Sequence, residues 1–402
     1  MSAFQHDHEV VVVGAGPAGS FTALRLAELG HQVALVDKNA TARFEIVCSG
    51  IIGCEAYEQL ELPRKAVIDT VRRVRVFSPA GVQVTYEPPK PLAHVVDRTK
   101  FDGALAALAR EAGVTLIRGW AACGVEKSRD GVTLTIRNGR TRSVRARALV
   151  VATGHQRFLH KAAGLGRPPG YVHGVHVDLP FVDLDSAELY FGNKLAPGYF
   201  AWAVPFGRGT ARLGVLAPQG ARRLFQSFLE RESIRTRLQT GSGSVNGKLL
   251  QNRLQSRGIV QGLVSPSFAD FALAVGEAAG QVKTTTAGGI YYGIIGAEIA
   301  AEVLSDGLRQ NRLRARDLRR YEEAWVGRLG SEIRTGLELQ RLALSITDPE
   351  IDALFGALQN GLGSALRQVV RFDWHRPALK LLFKSSRAWR LGTVALPSVG
   401  IR

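Results

Sequence analysis

The fold of this chain is predicted from one stretch, Val10-Val-Val-Val13-Gly14-Ala15-Gly16-Pro17-Ala18-Gly19. A short apolar strand meets a glycine turn, and the apolar spacing that follows predicts a helix from Pro17 to Leu29. Gly14 allows the tight turn, Gly16 lets the backbone approach a pyrophosphate, and Gly19 lets the helix pack close to the strand. The free amides at the helix N-terminus would face the phosphates.

A second apolar strand, Gln32 to Val36, completes a strand–helix–strand unit of the size expected for one parallel crossover. Asp37 ends this strand, where a carboxylate accepts hydrogen bonds from ribose hydroxyls. The sequence therefore predicts a dinucleotide site. A carboxylate at Asp37 favours FAD or NAD over NADP, and the motif alone leaves the choice between FAD and NAD open.

Composition excludes several classes of protein. The chain has 402 residues, 46% of them hydrophobic, which is too apolar for a disordered protein. The most apolar long stretch, from Gly288 to Leu304, contains Glu298 and Glu302, and the N-terminus lacks a basic region before its short apolar run. We therefore expect a cytoplasmic protein without a spanning helix. Three cysteines are too few and wrongly spaced for a disulfide framework or a zinc site, and the histidines show no metal-ligand spacing.

The net charge is +17, and the excess is concentrated near the C-terminus. Eight basic residues lie there: Arg367, Arg371, Arg376, Lys380, Lys384, Arg387, Arg390 and Arg402. Asp373 is the single acidic residue among them, and four aromatic residues lie between them: Phe372, Trp374, Phe383 and Trp389. Basic and aromatic residues on a helix are typical of peripheral contact with an anionic membrane, here the inner face. The alternative is a solvated face of a packed helix. No binding motif supports nucleic acid.

Four further segments carry a resemblance: Val47-Cys48-Ser-Gly50-Ile51, the Val96-Asp97-Arg98 run before a helix, Gly198-Tyr199-Phe-Ala-Trp202-Ala-Val-Pro205, and Gly276-Glu277-Ala-Ala-Gly280 with its continuation to Gly293. With the glycine turn, they make the chain resemble the geranylgeranyl reductase family. That family belongs to the FAD-dependent group typified by aromatic hydroxylases. The matches run from about residue 9 to about residue 305.

The order of patterns along the chain is β/α, then mostly β, then a return strand, then helices. Together with the resemblance, it predicts an α/β protein with a Rossmann-like FAD-binding domain of the aromatic-hydroxylase type. We assign residues 1–70, 93–168 and 268–306 to that discontinuous domain. Residues 71–92 and 169–267 would form an inserted β-sheet-rich substrate domain, and residues 307–402 a helical C-terminal region.

The sequence also predicts several local elements. The apolar patterns predict separate strands at Arg142–Ala146 and Ala148–Ala152, and Asn138-Gly139 is typical of a hairpin turn before the first of them. A long helix is expected from about Gly288 to Ser305. The stretch Gly241–Gly247 is the most linker-like part of the chain.

The resemblance implies FAD as cofactor and names its contacts. The ADP half would lie on Gly14, Ala15, Gly16, Pro17, Ala18, Gly19, Asp37 and Lys38. Arg98 would donate to phosphate or ribityl oxygens, and Glu277 would reach the ribityl chain, although the commoner residue there is Asp. The loop with Gly280, Gly288 and Gly289 would bring a helix N-terminus to the pyrimidine edge of the flavin, where its dipole stabilises the reduced, negatively charged form.

The resemblance also places Cys48 near the reactive edge of the flavin. Its thiol could give a proton to an alkene or orient the substrate, and the alternative is a buried structural cysteine. Tyr199 and Trp202 lie on opposite faces of one strand, so one face could line a channel for a prenyl chain, and Tyr291 and Tyr292 could close it. Core packing is the alternative for each of these aromatic residues.

The implied activity is the reduction of carbon–carbon double bonds in a prenyl chain on a lipid, a quinone or a diphosphate. The chain has no second glycine motif between a strand and a helix, so the electron donor is either NAD(P)H as a transient visitor or a reduced carrier protein. Two rival activities stay open, because related folds carry several functions. One is a flavin monooxygenase or halogenase, and the other is an electron-relay flavoprotein that reduces quinone.

Overall fold

The computed structural model describes residues 6–41, 48–239, 253–359 and 370–378. Its first sheet has the order β17-β18-β11-β1-β2-β8, and β9 and β10 extend it beside β11. The strands are β1 His8–Val13, β2 Val33–Asp37, β8 Thr115–Arg118, β9 Ala121–Lys127, β10 Val132–Asn138, β11 Arg140–Val151, β17 Phe268–Ala269 and β18 Ala272–Ala274. Strand β1 is the centre of this sheet, and its residues Val10–Val13 are buried.

Helices cover this sheet. Helix α1 (Pro17–Glu28) packs against α3 (Arg98–Glu111) and against the long helix α7 (Ile290–Gln310). Strand β1 pairs with β2 in parallel, with Val13 opposite Val36. The glycine turn and Asp37 therefore lie at the same carboxyl edge of the sheet, which is where α/β proteins of this type bind nucleotides. The predicted strand–helix–strand unit is confirmed.

The second sheet has seven strands in the order β16-β12-β15-β14-β13-β5-β6. They are β5 Val74–Phe77, β6 Gln83–Tyr86, β12 Tyr171–Pro180, β13 Ala187–Tyr190, β14 Ala201–Pro205, β15 Thr210–Ala217 and β16 Gln255–Val260. All neighbours are antiparallel except β13 and β5. This sheet packs its own apolar cluster against α5 (Ala221–Glu230), with Phe225 and Phe228 fully buried.

A small sheet lies between the two large ones, in the order β3 (Ile51–Gly53), β7 (Ala93–Val96) and β4 (Val67–Val71). The remaining short helices are α2 Cys54–Gln59, α4 Phe158–Ala163 and α6 Glu232–Arg235. Helices α8 (Ala315–Ser345) and α9 (Asp348–Ala357) follow α7. Helix α8 is fixed to the first sheet by Trp325, whose indole nitrogen donates to the Ser267 hydroxyl at 2.9 Å.

The fold class predicted from the sequence is confirmed, with two local corrections. The runs Arg142–Ala146 and Ala148–Ala152 were expected as separate strands but form one strand, Arg140–Val151. Arg147 interrupts the apolar pattern, yet its guanidinium is satisfied by Glu9 and by the Leu308 carbonyl. The long helix starts at Ile290 rather than Gly288, because a backbone bridge between Lys283 and Gly288 closes the preceding loop.

The predicted hairpin turn at Asn138-Gly139 is confirmed by the pairing of β10 with β11. The linker-like stretch 241–247 lies outside the described residues. No helix in the described parts of the chain is both long and apolar enough to cross a bilayer.

Candidate active site

One side of the glycine turn packs closely against the sheet and helix α1, and the other side is open. Gly14 has φ +108°, and a Cβ there would collide with the carbonyl oxygen of Ala152 at the end of β11. A Cβ on Gly19 would collide with the backbone of Gly14, so helix and turn are in direct contact. Gly16 differs, because among the described residues, its own and its two chain neighbours' atoms aside, no atom lies within 4 Å of its Cβ position. The turn is therefore closed toward the sheet and leaves space only at Gly16, in front of the α1 N-terminus.

Asp37 stabilises this turn from the end of β2. Its Oδ2 accepts the amide of Ala15 at 2.7 Å, and its Oδ1 accepts the amide of Asn39 at 2.8 Å. The carboxylate is buried, and it lines the same cavity as Gly16. Each carboxylate oxygen keeps acceptor capacity after one such bond, so the side chain can still receive a ribose hydroxyl. Lys38 stands exposed beside it on the cavity wall.

A cavity of about 1060 Å³ runs from the glycine turn to the second sheet. It is as large as the upper end of the range of roughly 300–1,000 Å³ that is usual for small-molecule sites. Near the turn, its wall is made by residues of the first sheet and its loops: Gly14, Gly16, Pro17, Ala18, Asp37, Trp120, Gly154 and His155. The open position at Gly16, the helix N-terminus and the Asp37 carboxylate fit the ADP half of FAD, and the length of the cavity leaves room for the flavin.

Arg98, the first residue of α3, lines the cavity. It binds Asp102 through two hydrogen bonds of 2.9 Å, and both side chains are largely buried. Burial lowers the pKa of Arg98, but the contacts with Asp102 and with Cys48 outweigh this effect and raise the pKa above its ordinary value. Arg98 therefore presents a permanent positive charge beside the Cys48 sulfur.

Cys48 also lines the cavity, and its main chain is held by the second sheet. The Cys48 amide donates to His176 Nδ1 at 3.3 Å, and the Cys48 carbonyl accepts from Arg212 at 2.9 Å. Asp178 fixes Arg212 with bonds of 2.7 and 2.8 Å. Burial, and then the charge of Arg212, lower the pKa of His176 to about 4, so the ring is neutral at pH 7 and can accept.

Glu277 reaches the cavity, but its carboxylate is already engaged. It forms an ion pair with Arg257 of β16 and accepts the amide of Val260 at 3.1 Å. Arg257 lines the cavity next to it. The longer Glu in place of the commoner Asp is thus matched by a partner on the second sheet, which no pattern near Glu277 in the sequence could reveal.

The loop from Gly280 to Gly289 has two different ends. A Cβ on Gly280, which has φ +75°, would collide with the Gly262 carbonyl, so this residue serves a tight turn and does not line the cavity. Gly288 and Gly289 do line it, directly before the first turn of α7.

Ala15 and Gly19, which were also expected at the cofactor, do not line the cavity. The Ala15 amide instead donates to Asp37.

The four aromatic residues expected around the substrate divide into two pairs. Trp202 and Tyr291 line the cavity, and Phe200 joins Trp202 with 6.2 Å between their rings. Tyr199 and Tyr292 do not line it. Tyr199 points to Gln261 in the core, and the Tyr292 hydroxyl donates to the Asp373 carbonyl at 2.9 Å. For these two residues the structure replaces the expected substrate contact with core packing.

The C-terminal segment 370–378 supplies a part of the wall that the sequence did not predict. Phe372 and Asp373 line the cavity, and Trp374 packs against Tyr292 while its indole nitrogen donates to Glu55 at 3.0 Å. Phe372 and Trp374 were expected on a membrane-facing helix. That expectation is corrected for both, because their rings are used inside the protein. Lys380, Lys384, Arg387, Arg390, Phe383 and Trp389 lie outside the described residues.

Comparison with known proteins gives the same assignment. Residues 8–178 match the family model described as pyridine nucleotide-disulphide oxidoreductase. A digeranylgeranylglycerophospholipid reductase of Methanocaldococcus jannaschii is 28% identical, over 94% of this chain and 97% of its own. Digeranylgeranylglycerophospholipid reductase 2 of Methanothermobacter thermautotrophicus is also 28% identical, over 88% and 92%. The chain is an FAD-dependent oxidoreductase that is similar to digeranylgeranylglycerophospholipid reductases.

Solved structures show how far this fold extends. A geranylgeranyl bacteriochlorophyll reductase-like protein from Thermoplasma acidophilum superposes with a TM-score of 0.83 at 21% identity, over 96% of this chain and 98% of its own. A flavin-dependent brominase superposes with a TM-score of 0.70 at 18% identity, over 96% and 100%. The flavoprotein thus shares its fold with reductases and with halogenating enzymes, and its own site must distinguish between them.

Proposed function

We propose that this flavoprotein saturates carbon–carbon double bonds of a prenyl chain carried by a lipid, a quinone or a diphosphate. One observation carries the proposal. Directly paired residues form a single row across the second sheet, in the order Val84, Val76, Leu189, Trp202, Gly214 and His176. Directly opposite residues of a sheet face the same side. His176 is the residue that holds the Cys48 amide, so the row leads to Cys48.

The side chains of this row form an apolar wall. Val84, Val76, Leu189 and Trp202 all line the cavity, and Val74, Val204, Leu216 and Ile259 flank them. Gly214 has no side chain, and a Cβ there would collide with the Trp202 indole, which lies across it. The row covers five strand spacings of about 4.8 Å, or roughly 24 Å. A prenyl chain laid on it would gain about 25 cal/mol for each Å² of apolar surface buried.

The reacting groups would meet where the row ends. We place the flavin between the glycine turn and the Gly288–Gly289 end of the loop, and when bound in its reduced form FAD supplies a hydride to one alkene carbon. The Cys48 thiol would give a proton to the other carbon, so that the bond gains two hydrogens. Arg98, His176 and Arg212 would hold Cys48 in place through the contacts described above.

The names of the relatives agree with a prenylated lipid substrate. The electron donor would be NAD(P)H or a reduced carrier protein, and the two can be separated by adding each to the oxidised protein under anaerobic conditions. Bleaching of the flavin absorbance by one of them identifies the donor.

The proposed activity is tested with chemically reduced protein under anaerobic conditions. We expect prenyl lipids, prenyl diphosphates or isoprenoid quinones to gain two hydrogens per reduced bond, as measured by mass spectrometry. Protein with its flavin removed is the control. A protein that binds FAD but is reoxidised only by oxygen or quinone, with no gain of mass in any prenyl chain, would contradict the proposal and favour a monooxygenase, a halogenase or an electron relay.

Prenyl lipids and isoprenoid quinones lie in membranes, and we propose that the basic C-terminal region docks the protein on an anionic bilayer. Replacing Lys380 and Lys384 by glutamate should weaken binding to vesicles that contain anionic lipid, most clearly at low salt. The matched control reverses two exposed charges elsewhere, Arg316 and Arg319. Sedimentation with vesicles measures both variants, and binding that ignores lipid charge and salt would count against the docking.

A further inference from the structure

A buried ion pair joins the C-terminal segment to the loop before α7. Lys283 Nζ donates to Asp373 Oδ1 at 2.7 Å, and the two side chains are only 8% and 1% exposed. The ammonium also lies 4.5 Å from the centre of the Phe372 ring. Both charged residues line the cavity, beside Gly288 and Gly289. The pair therefore faces the part of the cavity that receives the flavin under the proposed function.

Several contacts fix this segment in one position. The Asp373 carbonyl accepts the Tyr292 hydroxyl, and His375 Nδ1 lies 2.6 Å from the Thr285 hydroxyl. Glu332 accepts the amides of His375 and Arg376 at 3.1 and 3.0 Å. Asp373 is thus held from three elements, and it in turn determines where the Lys283 ammonium stands.

The second oxygen of Asp373 is the unusual feature. In the described residues, Asp373 Oδ2 is buried without a hydrogen-bond partner, above Gly53, where a Cβ would collide with it. A buried carboxylate with one unpaired oxygen is costly, and such groups are retained mainly at functional sites.

We infer that the Lys283–Asp373 pair sets the reduction potential of the bound flavin, with Asp373 as the residue that positions Lys283. The physical reason is charge. Reduction adds negative charge to the flavin, so a nearby ammonium favours the reduced form and a nearby carboxylate opposes it. Inside a low-dielectric cavity, the opposing effects of the ammonium and the carboxylate together set the reduction potential of the flavin. Removal of either charge leaves the other uncompensated.

This mechanism predicts shifts of opposite sign. Asp373→Asn removes the carboxylate charge and should raise the potential. Lys283→Met removes the ammonium and should lower it. We expect each shift to correspond to at least a tenfold change in the equilibrium between oxidised and reduced flavin, or about 30 mV for a two-electron couple. The flavin potential of the double variant should lie within about 30 mV of that of the parent protein.

The potential is measured by anaerobic reduction of the FAD-bound protein against a reference dye, with the absorbance of both recorded. Asp306→Asn is the matched control, because Asp306 forms an exposed ion pair with Arg320 and does not line the cavity. If the pair served only packing, the flavin potentials of both single variants would shift in the same direction, or neither potential would shift by more than that of the control variant. Either result, or the loss of FAD from both variants, overturns the inference.

No prenyl substrate enters this experiment, so the two proposals can fail separately. Opposite shifts in a protein that saturates no alkene would keep the inference and reject the reductase activity. Alkene saturation with unshifted potentials would keep the activity and reject the role of the pair.

Discussion

Replacing Gly16 by valine should leave the protein folded and weaken its hold on FAD by one to two powers of ten. The described part of the protein has room for the new side chain, because beyond the two chain neighbours it places no atom within 4 Å of the Cβ position. That room is the space in which the cofactor pyrophosphate approaches the backbone. Overpacking a filled site costs about 1–3 kcal/mol, which corresponds to a weakening of roughly 5- to 150-fold. Titration of the apoprotein with FAD, followed by flavin fluorescence, measures the effect.

Two further variants serve as controls for the Gly16→Val experiment. Gly327→Val adds the same side chain at an exposed, open position of helix α8 and should leave FAD binding unchanged. Gly14→Ala should destabilise the apoprotein, because the residue has φ +108° and its side chain would meet the Ala152 carbonyl. Unchanged FAD affinity in Gly16→Val, with the folded fraction confirmed by thermal unfolding, would show that the cofactor does not lie on this turn.

Alanine at Cys48 should slow alkene saturation by about 10²- to 10⁴-fold, the usual contribution of a positioned acid. The bound FAD and its potential should stay close to those of the parent protein. The substitution spares the local structure, because His176 and Arg212 bind the main chain of Cys48 and not its sulfur. It removes the thiol and one acceptor, which receives the Gly50 amide at 3.3 Å. Single-turnover oxidation of the reduced protein by a prenyl substrate measures the rate.

Cys54→Ala is the matched control for this experiment. Cys54 is half-buried like Cys48, but its sulfur faces His94 Nε2 at 3.6 Å, and the residue does not line the cavity. We expect its variant to retain the parent rate. Equal rates in all three proteins would assign Cys48 to packing. A comparable loss in both variants would point to a general disturbance of the small sheet that includes Ile51–Gly53.

The site depends on contacts between distant parts of the chain more than on any single motif. Cys48 is fixed by residues of β12 and β15, Glu277 by Arg257 of β16, and Lys283 by Asp373 near the C-terminus. Each contact joins residues that lie far apart in the sequence.

Features that depend on residues close together in the chain were predictable from the amino-acid sequence. The glycine turn, the helix from Pro17 and Asp37 at the end of β2 were all predicted, because apolar period, turn residues and strand length act within some thirty residues. The same local rule predicts Trp202 and Tyr199 on opposite faces of one strand. In the structure this strand begins at Ala201, so Tyr199 precedes it, and Trp202 is the residue of the two that lines the cavity.

The other features of the site depend on which distant residues pack together in the folded chain. The row from Val84 to His176 depends on the register of six strands, and the sequence pattern specifies the faces of a strand without naming its neighbours. Gly280 was expected beside the flavin, but its left-handed backbone serves a turn against Gly262. Asp373 was read as a lone acid among basic residues, and packing places it on Lys283. Burial and pairing of distant charges arise only when the chain has closed, because their energies come from the surroundings that folding creates.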